Sequence, residues 1–269
     1  MEHPASQKTL NNRFESFRDE TQLIAAVICA AGSSSRMGGI KKELQKLDNN
    51  ITVLGAAVGA FLAVPSVNII VIAVSKDGES AARQALPPEY FIKHKTKILF
   101  IEGGETRRAS VFSALACLSS YNPRYVLIHD GARPRVSPSL IEKTIDAVKK
   151  YGAVIPLLPL TDTPKELEIR NEKREINSEQ PVIGNEDIEA VVYIKRHLGR
   201  ANVGAAQTPQ AFKFPEILHA HEKASEALMN NPGEEFTDDA EVWGRFCGQV
   251  AVIPGEPENK KITFPEDLN

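Results

Sequence analysis

The chain has 269 residues, of which 42% are hydrophobic and 25% are charged, and its formal net charge is -3. These values are typical of a folded globular domain and leave no global positive charge for binding nucleic acid or an acidic membrane. No run is apolar enough to cross a bilayer or to act as a secretory signal, so the cytoplasm is the predicted location.

The predicted elements alternate between strands and helices. Residues 1–22 are polar and predict an N-terminal extension. Strands are predicted at 23–31, 67–75, 95–103, 124–131 and 153–160, with helices at 52–64, 79–86, 108–120 and 137–152. In the last helix Ser137 is the predicted N-cap and Gly152 the end. This alternation predicts a mostly parallel sheet that binds ligands beyond the carboxyl ends of its strands.

The composition changes in the second half of the chain. Residues 161–195 are rich in charge and poor in large apolar residues, which indicates an arm, an exposed hairpin or a loose loop. Two helices, at 215–229 and 237–248, and a strand at 249–255 follow. We therefore predict a single domain over 23–269, with an arm protruding at roughly 161–200.

A Gly/Ser-rich turn follows the first strand, in the sequence AAGSSSRMGGIKK. Gly32 and the serines allow backbone N–H groups to approach a polyphosphate, and Arg36 and Lys42 add positive charge beside it. The spacing matches neither the Walker A motif nor the dinucleotide fingerprint. The alternative is a plain strand-to-helix turn with solvated basic residues.

Glycines also follow the third strand, at Gly103 and Gly104, and a helix is predicted to begin near Ser110. Glycines at this position allow backbone contact with a flat ligand such as a nucleobase. Ser110 is predicted either to cap the helix or to bind a ligand, and the sequence leaves both alternatives open.

A carboxylate and a pair of lysines follow two further strands. Asp130 comes directly after a buried strand, a common position for Mg²⁺ in phosphoryl and nucleotidyl transfer. Strand alternation points His129 away from Asp130, so His129 is predicted to be structural. Of Lys260 and Lys261, at most one is expected to enter a site, because adjacent residues of extended chain point in opposite directions.

Seven motifs in this order resemble the 2-C-methyl-D-erythritol 4-phosphate cytidylyltransferase family, over about residues 24–268. Each motif alone is weak, but the set in the family's order is specific. The motifs are AAGSSSRMG followed by a lysine, GGETRRASV, HDGARP, TDTPK, AAQTPQAF, FTDDA and NKKITFPEDL.

The resemblance implies an α/β, Rossmann-like nucleotidyltransferase fold with a mostly parallel mixed sheet and an extended dimerisation arm. It implies transfer of CMP from CTP to 2-C-methyl-D-erythritol 4-phosphate, with release of pyrophosphate. The implied partners are CTP, a small sugar-alcohol phosphate and a second copy of the chain, and the implied cofactor is Mg²⁺ or another divalent cation.

The resemblance also implies a role for each matched residue. Catalytic roles fall to Arg36 and Lys42, and Asp130 would hold the metal. The nucleotide would be bound by Ala30, Ala31, Gly32, Gly104, Glu105 and Ser110. The acceptor would be bound by Thr163, Arg200 and Lys261, where Lys261 is preferred to Lys260 because it lies two residues before Thr263.

The chain departs from the family pattern in two informative places. Lys41-Lys42-Glu43 stands where relatives usually have Pro-Lys-Gln, one residue closer to the glycine turn, so Lys41 is an alternative to Lys42. The segment between Thr163 and Arg200 is longer than usual, which predicts an enlarged arm.

Three other functions are alternatives to the main prediction. Ribitol-5-phosphate cytidylyltransferases would use the same nucleotide motifs, and a non-catalytic nucleotide-binding protein would share the fold. The joint presence of Arg36, Lys42, Asp130, Arg200 and Lys261 argues against lost catalysis. A nicotinamide-dependent dehydrogenase is disfavoured because the glycine fingerprint is missing.

Overall fold

The computed structural model describes residues 23–32, 41–47, 50–170, 191–231, 233 and 236–268. Contacts divide the chain into two compact units, one formed by Met1–Pro156 with Gln207–Asn269 and the other by Leu157–Ala206. The predicted single domain with an arm stays a prediction. In the described part of the chain, no helix has both the length and the apolarity needed to span a bilayer.

The described residues form ten strands. In chain order they are β1 (Ile24–Ala30), β2 (Val67–Val74), β3 (Lys97–Glu102), β4 (Tyr125–Asp130), β5 (Ala153–Pro159), β6 (Lys165–Arg170), β7 (Val191–His197), β8 (Gly204–Ala206), β9 (Gln210–Lys213) and β10 (Ala251–Pro254).

The main sheet has the strand order β10-β5-β9-β4-β1-β2-β3. Strand β1 pairs in parallel with both β2 and β4, and β2 pairs in parallel with β3. The short strand β9 lies between β4 and β5 and is antiparallel to both. The predicted α/β fold with a mostly parallel mixed sheet is therefore confirmed, whereas the apolar pattern does not predict β9.

Six α-helices are present among the described residues. They are α1 (Val53–Leu62), α2 (Glu79–Ala85), α3 (Arg107–Leu118), α4 (Pro138–Tyr151), α5 (Glu216–Asn230) and α6 (Asp239–Phe246). The predicted limits of α4 are confirmed, because the Ser137 side chain accepts from the Leu140 N–H and Gly152 ends the helix with a φ of 84°.

Helix α3 corrects the prediction that a helix begins near Ser110. It begins at Arg107, because the side chain of Thr106 is the N-cap and accepts from the Ala109 N–H. Ser110 lies inside the helix, and its hydroxyl donates to the backbone oxygens of Thr106 and Gly104. Of the two alternatives for Ser110, capping is therefore wrong.

Two apolar clusters cover the two faces of the sheet. One contains Ile28 and Phe61, and the other contains Val27 and Leu115. Neighbours on β1 thus point to opposite faces, as the two-residue repeat of a strand requires. Each fully buried large side chain contributes about 1.5–3 kcal/mol. The core therefore holds the carboxyl ends of the strands in fixed positions.

The second unit contains an antiparallel two-stranded ribbon, defined as β6 and β7. The register pairs Leu167 with Ile194 and Ile169 with Val192, so these four apolar side chains share one face. The Glu166 carboxylate contacts the Lys195 and Arg196 side chains at 2.8 and 2.9 Å. Among the three predicted forms of segment 161–195, the described residues have the paired strands of a hairpin.

Candidate active site

A cavity of about 570 Å³ opens beyond the carboxyl ends of β1 to β4 in the first unit. Each of these strands contributes residues at or just after its end, as expected for a parallel sheet. The structure therefore brings most of the predicted site residues together. Those that line the cavity are Ala31, Gly32, Lys42, Gly104, Glu105, Ser110, Asp130 and Lys261.

Gly103 explains how β3 and α3 approach the end of β1 so closely. A Cβ atom built on Gly103 would lie 2.7 Å from the Ala31 Cβ and 2.7 Å from the Ser110 Oγ. No side chain fits into that space. The glycine therefore lets the turn after β3 pack directly on the turn after β1, which brings the two predicted nucleotide-binding segments to one wall of the cavity.

Asp130 is the centre of a cluster of three cations. Its Oδ1 accepts from the Arg107 Nε at 3.1 Å, and its Oδ2 lies 3.0 Å from the Lys261 Nζ and 3.6 Å from the Arg133 Nε. Burial alone would raise the pKa of Asp130, but the three cations outweigh burial and hold the pKa well below its usual range. The carboxylate is therefore ionised at neutral pH.

Thr208, in the turn before β9, contacts both the backbone of Asp130 and the side chain of its neighbour His129. The Thr208 hydroxyl accepts from the Asp130 backbone N–H at 3.1 Å and lies 2.9 Å from the His129 Nδ1. The His129 Nε2 lies 3.1 Å from the Arg133 carbonyl oxygen, so it must donate, and Nδ1 must accept from Thr208. Both ring nitrogens are used, which agrees with the predicted structural role of His129.

The buried imidazole of His129 makes stability depend on pH. Burial lowers the pKa of His129 from 6.5 to about 4. Between these values the unfolded chain binds a proton that the folded chain does not, so stability falls as the pH falls through this window. The expected loss is on the order of 3 kcal/mol between about pH 7 and about pH 4.

Urea unfolding of the wild type and of His129→Gln at several pH values, in metal-free buffer, measures this loss. Glutamine keeps an acceptor and a donor but does not titrate, so its profile should be flatter by about that amount. Identical pH profiles for the two proteins would contradict the assignment.

Two buried amides fix the segment before Lys261 to the turn before β9. The Gln207 Nε2 donates to the Glu256 carbonyl oxygen at 2.9 Å, and the Asn259 Nδ2 donates to the Thr208 carbonyl oxygen at 2.8 Å. On the other side of Lys261, the Ile262 N–H donates to a backbone oxygen of the turn after β4. These bonds hold the backbone so that the Lys261 side chain lines the cavity and reaches Asp130.

The basic segment after the glycine turn is described from Lys41 onward, and the predicted catalytic Arg36 lies outside the described residues. Lys41 and Lys42 both line the cavity. The Lys41 Nζ donates to the Gly32 carbonyl oxygen at 3.0 Å. Lys42 begins a short 3₁₀ helix, Lys42–Leu44. The geometry keeps both lysines as candidates for contact with a triphosphate.

Three predicted residues lie elsewhere. Ala30, the last residue of β1, packs against a core cluster and is not among the described residues that line the cavity. Thr163 and Arg200 belong to the second unit, where both are exposed and the Arg200 Nη1 donates to the Thr161 carbonyl oxygen at 2.6 Å.

Sequence reasoning missed three residues around Asp130. Arg107 and Arg133 contact its carboxylate, and Asp239 contacts Arg107 at 2.8 Å from Oδ2 to Nη1. Arg107 lies in the motif GGETRRASV and Arg133 in the motif HDGARP, so the resemblance pointed to the neighbourhood of both arginines. The sequence does not distinguish an arginine that faces the cavity from one that is solvated.

A metal ion would find few protein ligands here. In the part of the chain that the structure describes, no group of three or more His, Cys, Asp or Glu side chains could hold a metal ion. Asp130 is one ionised carboxylate at the cavity wall. Mg²⁺ commonly binds one or two carboxylates together with substrate phosphates, so the donor set fits Mg²⁺ only in the company of a phosphate ligand.

The family model of 2-C-methyl-D-erythritol 4-phosphate cytidylyltransferase matches residues 24–177 and 184–269 of the chain. A bifunctional enzyme IspD/IspF from Bartonella henselae is 34% identical over 248 residues, which cover 91% of this chain and 55% of that protein. The chain thus spans about half the length of the bifunctional relatives that it matches. A 2-C-methyl-D-erythritol 4-phosphate cytidylyltransferase from Bacillus mycoides is 33% identical, with 90% of this chain and 93% of that protein covered.

Two solved structures are also similar to this chain in fold and sequence. The 4-diphosphocytidyl-2C-methyl-D-erythritol synthase of Anaerococcus prevotii is 28% identical, with a TM-score of 0.71 over 93% of this chain and 94% of that chain. The 2-C-methyl-D-erythritol 4-phosphate cytidylyltransferase of Francisella tularensis is 27% identical, with a TM-score of 0.68 over 91% of this chain and 96% of that chain.

Proposed function

The chain belongs to the 2-C-methyl-D-erythritol 4-phosphate cytidylyltransferase family, and from this premise we propose that it transfers CMP from CTP to 2-C-methyl-D-erythritol 4-phosphate. The products are pyrophosphate and 4-diphosphocytidyl-2-C-methylerythritol. The observation that carries the proposal is the cavity in which the glycine turns after β1 and β3 meet the ionised Asp130 and Lys261.

The nucleotide half of the site follows from the two glycine turns. Ala31 and Gly32 present backbone to the triphosphate, and Gly104, Glu105 and Ser110 form the wall proposed for the cytosine and ribose. Ala30 supports the first turn from the core side. Glycine turns suit this task because backbone N–H groups can approach phosphate oxygens without an intervening side chain.

The reaction is an in-line displacement at phosphorus. A phosphate oxygen of the acceptor forms a bond to the α-phosphorus of CTP. The bond from that phosphorus to the oxygen that bridges the α- and β-phosphates breaks, and pyrophosphate leaves with that oxygen. Negative charge grows on the α-phosphoryl oxygens and on the departing pyrophosphate, where Arg36 and Lys42 are proposed to neutralise it. The acceptor oxygen is already anionic, so no general base is required.

Asp130 is proposed to hold Mg²⁺ together with the phosphates of CTP. When bound, the ion supplies positive charge to the triphosphate oxygens. The Lys261 Nζ lies 3.0 Å from the Asp130 Oδ2 and its side chain is 41% exposed, so it has room to turn toward a substrate phosphate. Arg107 and Arg133 keep the carboxylate ionised meanwhile.

The acceptor is proposed to be bound by Thr163, Arg200 and Lys261. Charge-assisted bonds from an arginine or lysine to a phosphate stabilise a complex by about 1.5–3 kcal/mol. Arg200→Ala and Lys261→Ala are therefore expected to raise the acceptor KM by about 10- to 100-fold. Steady-state kinetics with each substrate varied in turn measure the effect. An equal rise in the CTP KM would contradict these assignments.

The full chain assayed with Mg²⁺, CTP and each candidate acceptor tests the proposed function. We expect pyrophosphate release with 2-C-methyl-D-erythritol 4-phosphate and much less with ribitol 5-phosphate. Faster release with ribitol 5-phosphate would favour the alternative acceptor. Binding of CTP without release in either reaction would instead favour a non-catalytic nucleotide-binding protein.

The apolar face of the ribbon supports a homodimer. Leu167, Ile169, Val192 and Ile194 are 39–52% exposed. An isolated two-stranded ribbon is at best marginally stable in water, so this face requires a cover, and the family resemblance makes a second copy the proposed cover. The dimer and the cytoplasmic location both remain proposals.

Placing a charge on this face is expected to weaken the dimer. Leu167→Glu would bury a carboxylate at the proposed contact, and Glu168→Lys, on the opposite face of the same strand, is the matched control. Sedimentation velocity over a range of concentrations should give monomers for the first variant only. A monomeric wild type at every concentration would contradict the proposal.

A further inference from the structure

The Arg107 guanidinium joins two carboxylates. Its Nε donates to the Asp130 Oδ1 at 3.1 Å, and its Nη1 lies 2.8 Å from the Asp239 Oδ2. Arg107 lines the cavity, whereas Asp239 is not among the described residues that do. Asp239 therefore contacts Arg107, which lines the cavity, and does not itself line the cavity formed by the described residues.

Asp239 carries a charge that is more deeply buried than that of Asp130. Its side chain is 1% exposed, compared with 10% for Asp130. The fully buried His221 of α5 places its Nε2 3.3 Å from the Asp239 Oδ1. The Asp239 carboxylate thus lies at ion-pair distance from the Arg107 guanidinium and close to the His221 imidazole. A carboxylate buried this deeply needs a positively charged partner such as Arg107, because an unpaired buried charge is strongly destabilising.

The start of α6 is held in place independently of Arg107. The Gln210 Oε1 accepts from the Ala240 N–H at 3.0 Å, and the Gln210 Nε2 donates to the Asp238 Oδ2 at 2.8 Å. Asp238 is the N-cap, and its other oxygen accepts from the Glu241 N–H at 2.9 Å. Strand β9 therefore fixes the backbone of Asp239, which makes Asp239 a rigid anchor.

An anchored carboxylate restricts the guanidinium. Arginine presents its donors in a planar fork, and a single carboxylate partner can take two of them side by side. Because Asp239 engages Nη1, Nε is the donor that is directed at Asp130. The Asp130 Oδ2 then faces Lys261 on the cavity side at 3.0 Å, with the Arg133 Nε farther away at 3.6 Å.

We propose that Asp239 is a positioning residue, which orients Arg107 and through it the Asp130 carboxylate, with His221 supporting Asp239. The proposal rests on the proposed cytidylyl transfer. Because Asp239 acts through Arg107 and not on the substrate, it should influence turnover more than nucleotide binding.

Asp239→Asn in the full chain tests the proposal. We expect kcat to fall by about 10- to 100-fold while the CTP KM changes less than about 3-fold. Arg107→Lys keeps the charge but not the fork, so it should lower kcat similarly. The double variant should be no slower than the slower single variant, because both changes break one chain of contacts.

Glu241→Ala is the matched control. It removes a carboxylate that accepts from the Thr237 N–H and hydroxyl at the same helix end, without touching Arg107 or the Gln210 contacts that hold Asp239. Its kcat should equal that of the wild type within about 2-fold. A purely structural role for Asp239, exerted through the stability of this helix end, would instead lower kcat in Glu241→Ala as much as in Asp239→Asn, and that result would overturn the proposal.

A spectroscopic readout separates this inference from the proposed function. The proton–nitrogen NMR signal of the Arg107 Nε–H, assigned by its absence in Arg107→Lys, should be sharp in the wild type and broadened or shifted in Asp239→Asn. An unchanged signal would overturn the inference even if the enzyme is active. A wild type that turns over neither acceptor would overturn the proposed function, while the signal would still test the contact.

Discussion

Asp130→Asn is expected to lower kcat/KM by about 10³-fold, equivalent to about 4 kcal/mol of transition-state stabilisation. The carboxylate contacts Arg107, Arg133 and Lys261 together. Asparagine has nearly the same shape but no charge, so it would hold neither the proposed metal ion nor the cation cluster. Initial rates of pyrophosphate release at saturating and limiting Mg²⁺ measure the loss.

The variant must be compared at equal folded fraction, because removing one partner from a buried ion pair also lowers stability. Thermal unfolding gives the fraction folded at the assay temperature. Asp146→Asn is the matched control, since Asp146 is a highly exposed aspartate whose partner is Lys149. A folded Asp130→Asn protein with turnover within about 10-fold of the wild type would exclude Asp130 from the reaction.

Lys42→Ala is expected to lower kcat by about 10²- to 10³-fold, since a cation aimed at developing charge contributes about 2.7–4 kcal/mol. Lys41→Ala is expected to lower kcat less than about 10-fold. The reason for the difference is that the family resemblance gives the catalytic role to Lys42, while the Lys41 ammonium donates to the Gly32 carbonyl oxygen and supports the glycine turn.

Lys46→Ala is the control for this pair, because Lys46 is an exposed lysine of the same segment that does not line the cavity among the described residues. Its kcat should match that of the wild type. Single-turnover measurements separate the chemical step from product release. A large loss of kcat in Lys41→Ala together with a small loss in Lys42→Ala would assign the catalytic role to Lys41 in place of Lys42.

Much of the fold follows from local patterns. The alternation of apolar runs with amphipathic segments predicts the parallel strands and their helices, and Ser137, Pro138 and Gly152 predict both ends of α4. The clustering of Gly32 and Asp130 also follows, because the carboxyl ends of neighbouring parallel strands meet at one edge of the sheet.

The remaining features depend on contacts between distant parts of the chain. The run Gln210–Lys213 is too short for its antiparallel pairing to be read from periodicity. Thr106 and Ser110 are both good caps by type, so the sequence alone does not fix the true start of α3. Asp238 and Asp239 look alike in sequence, yet one caps a helix and the other is buried against Arg107.

The position of β9 has a consequence for folding during synthesis. The backbone N–H of Asp130, at the end of β4, donates to the hydroxyl of Thr208, just before β9, although the two residues are 78 positions apart in the chain. Until the ribosome has released β9, the fully buried β4 is an unprotected edge strand of a growing sheet. Exposed apolar edges promote association with other chains, and long-range pairing slows folding. The nascent chain is therefore expected to need chaperone protection between the emergence of β4 and that of β9.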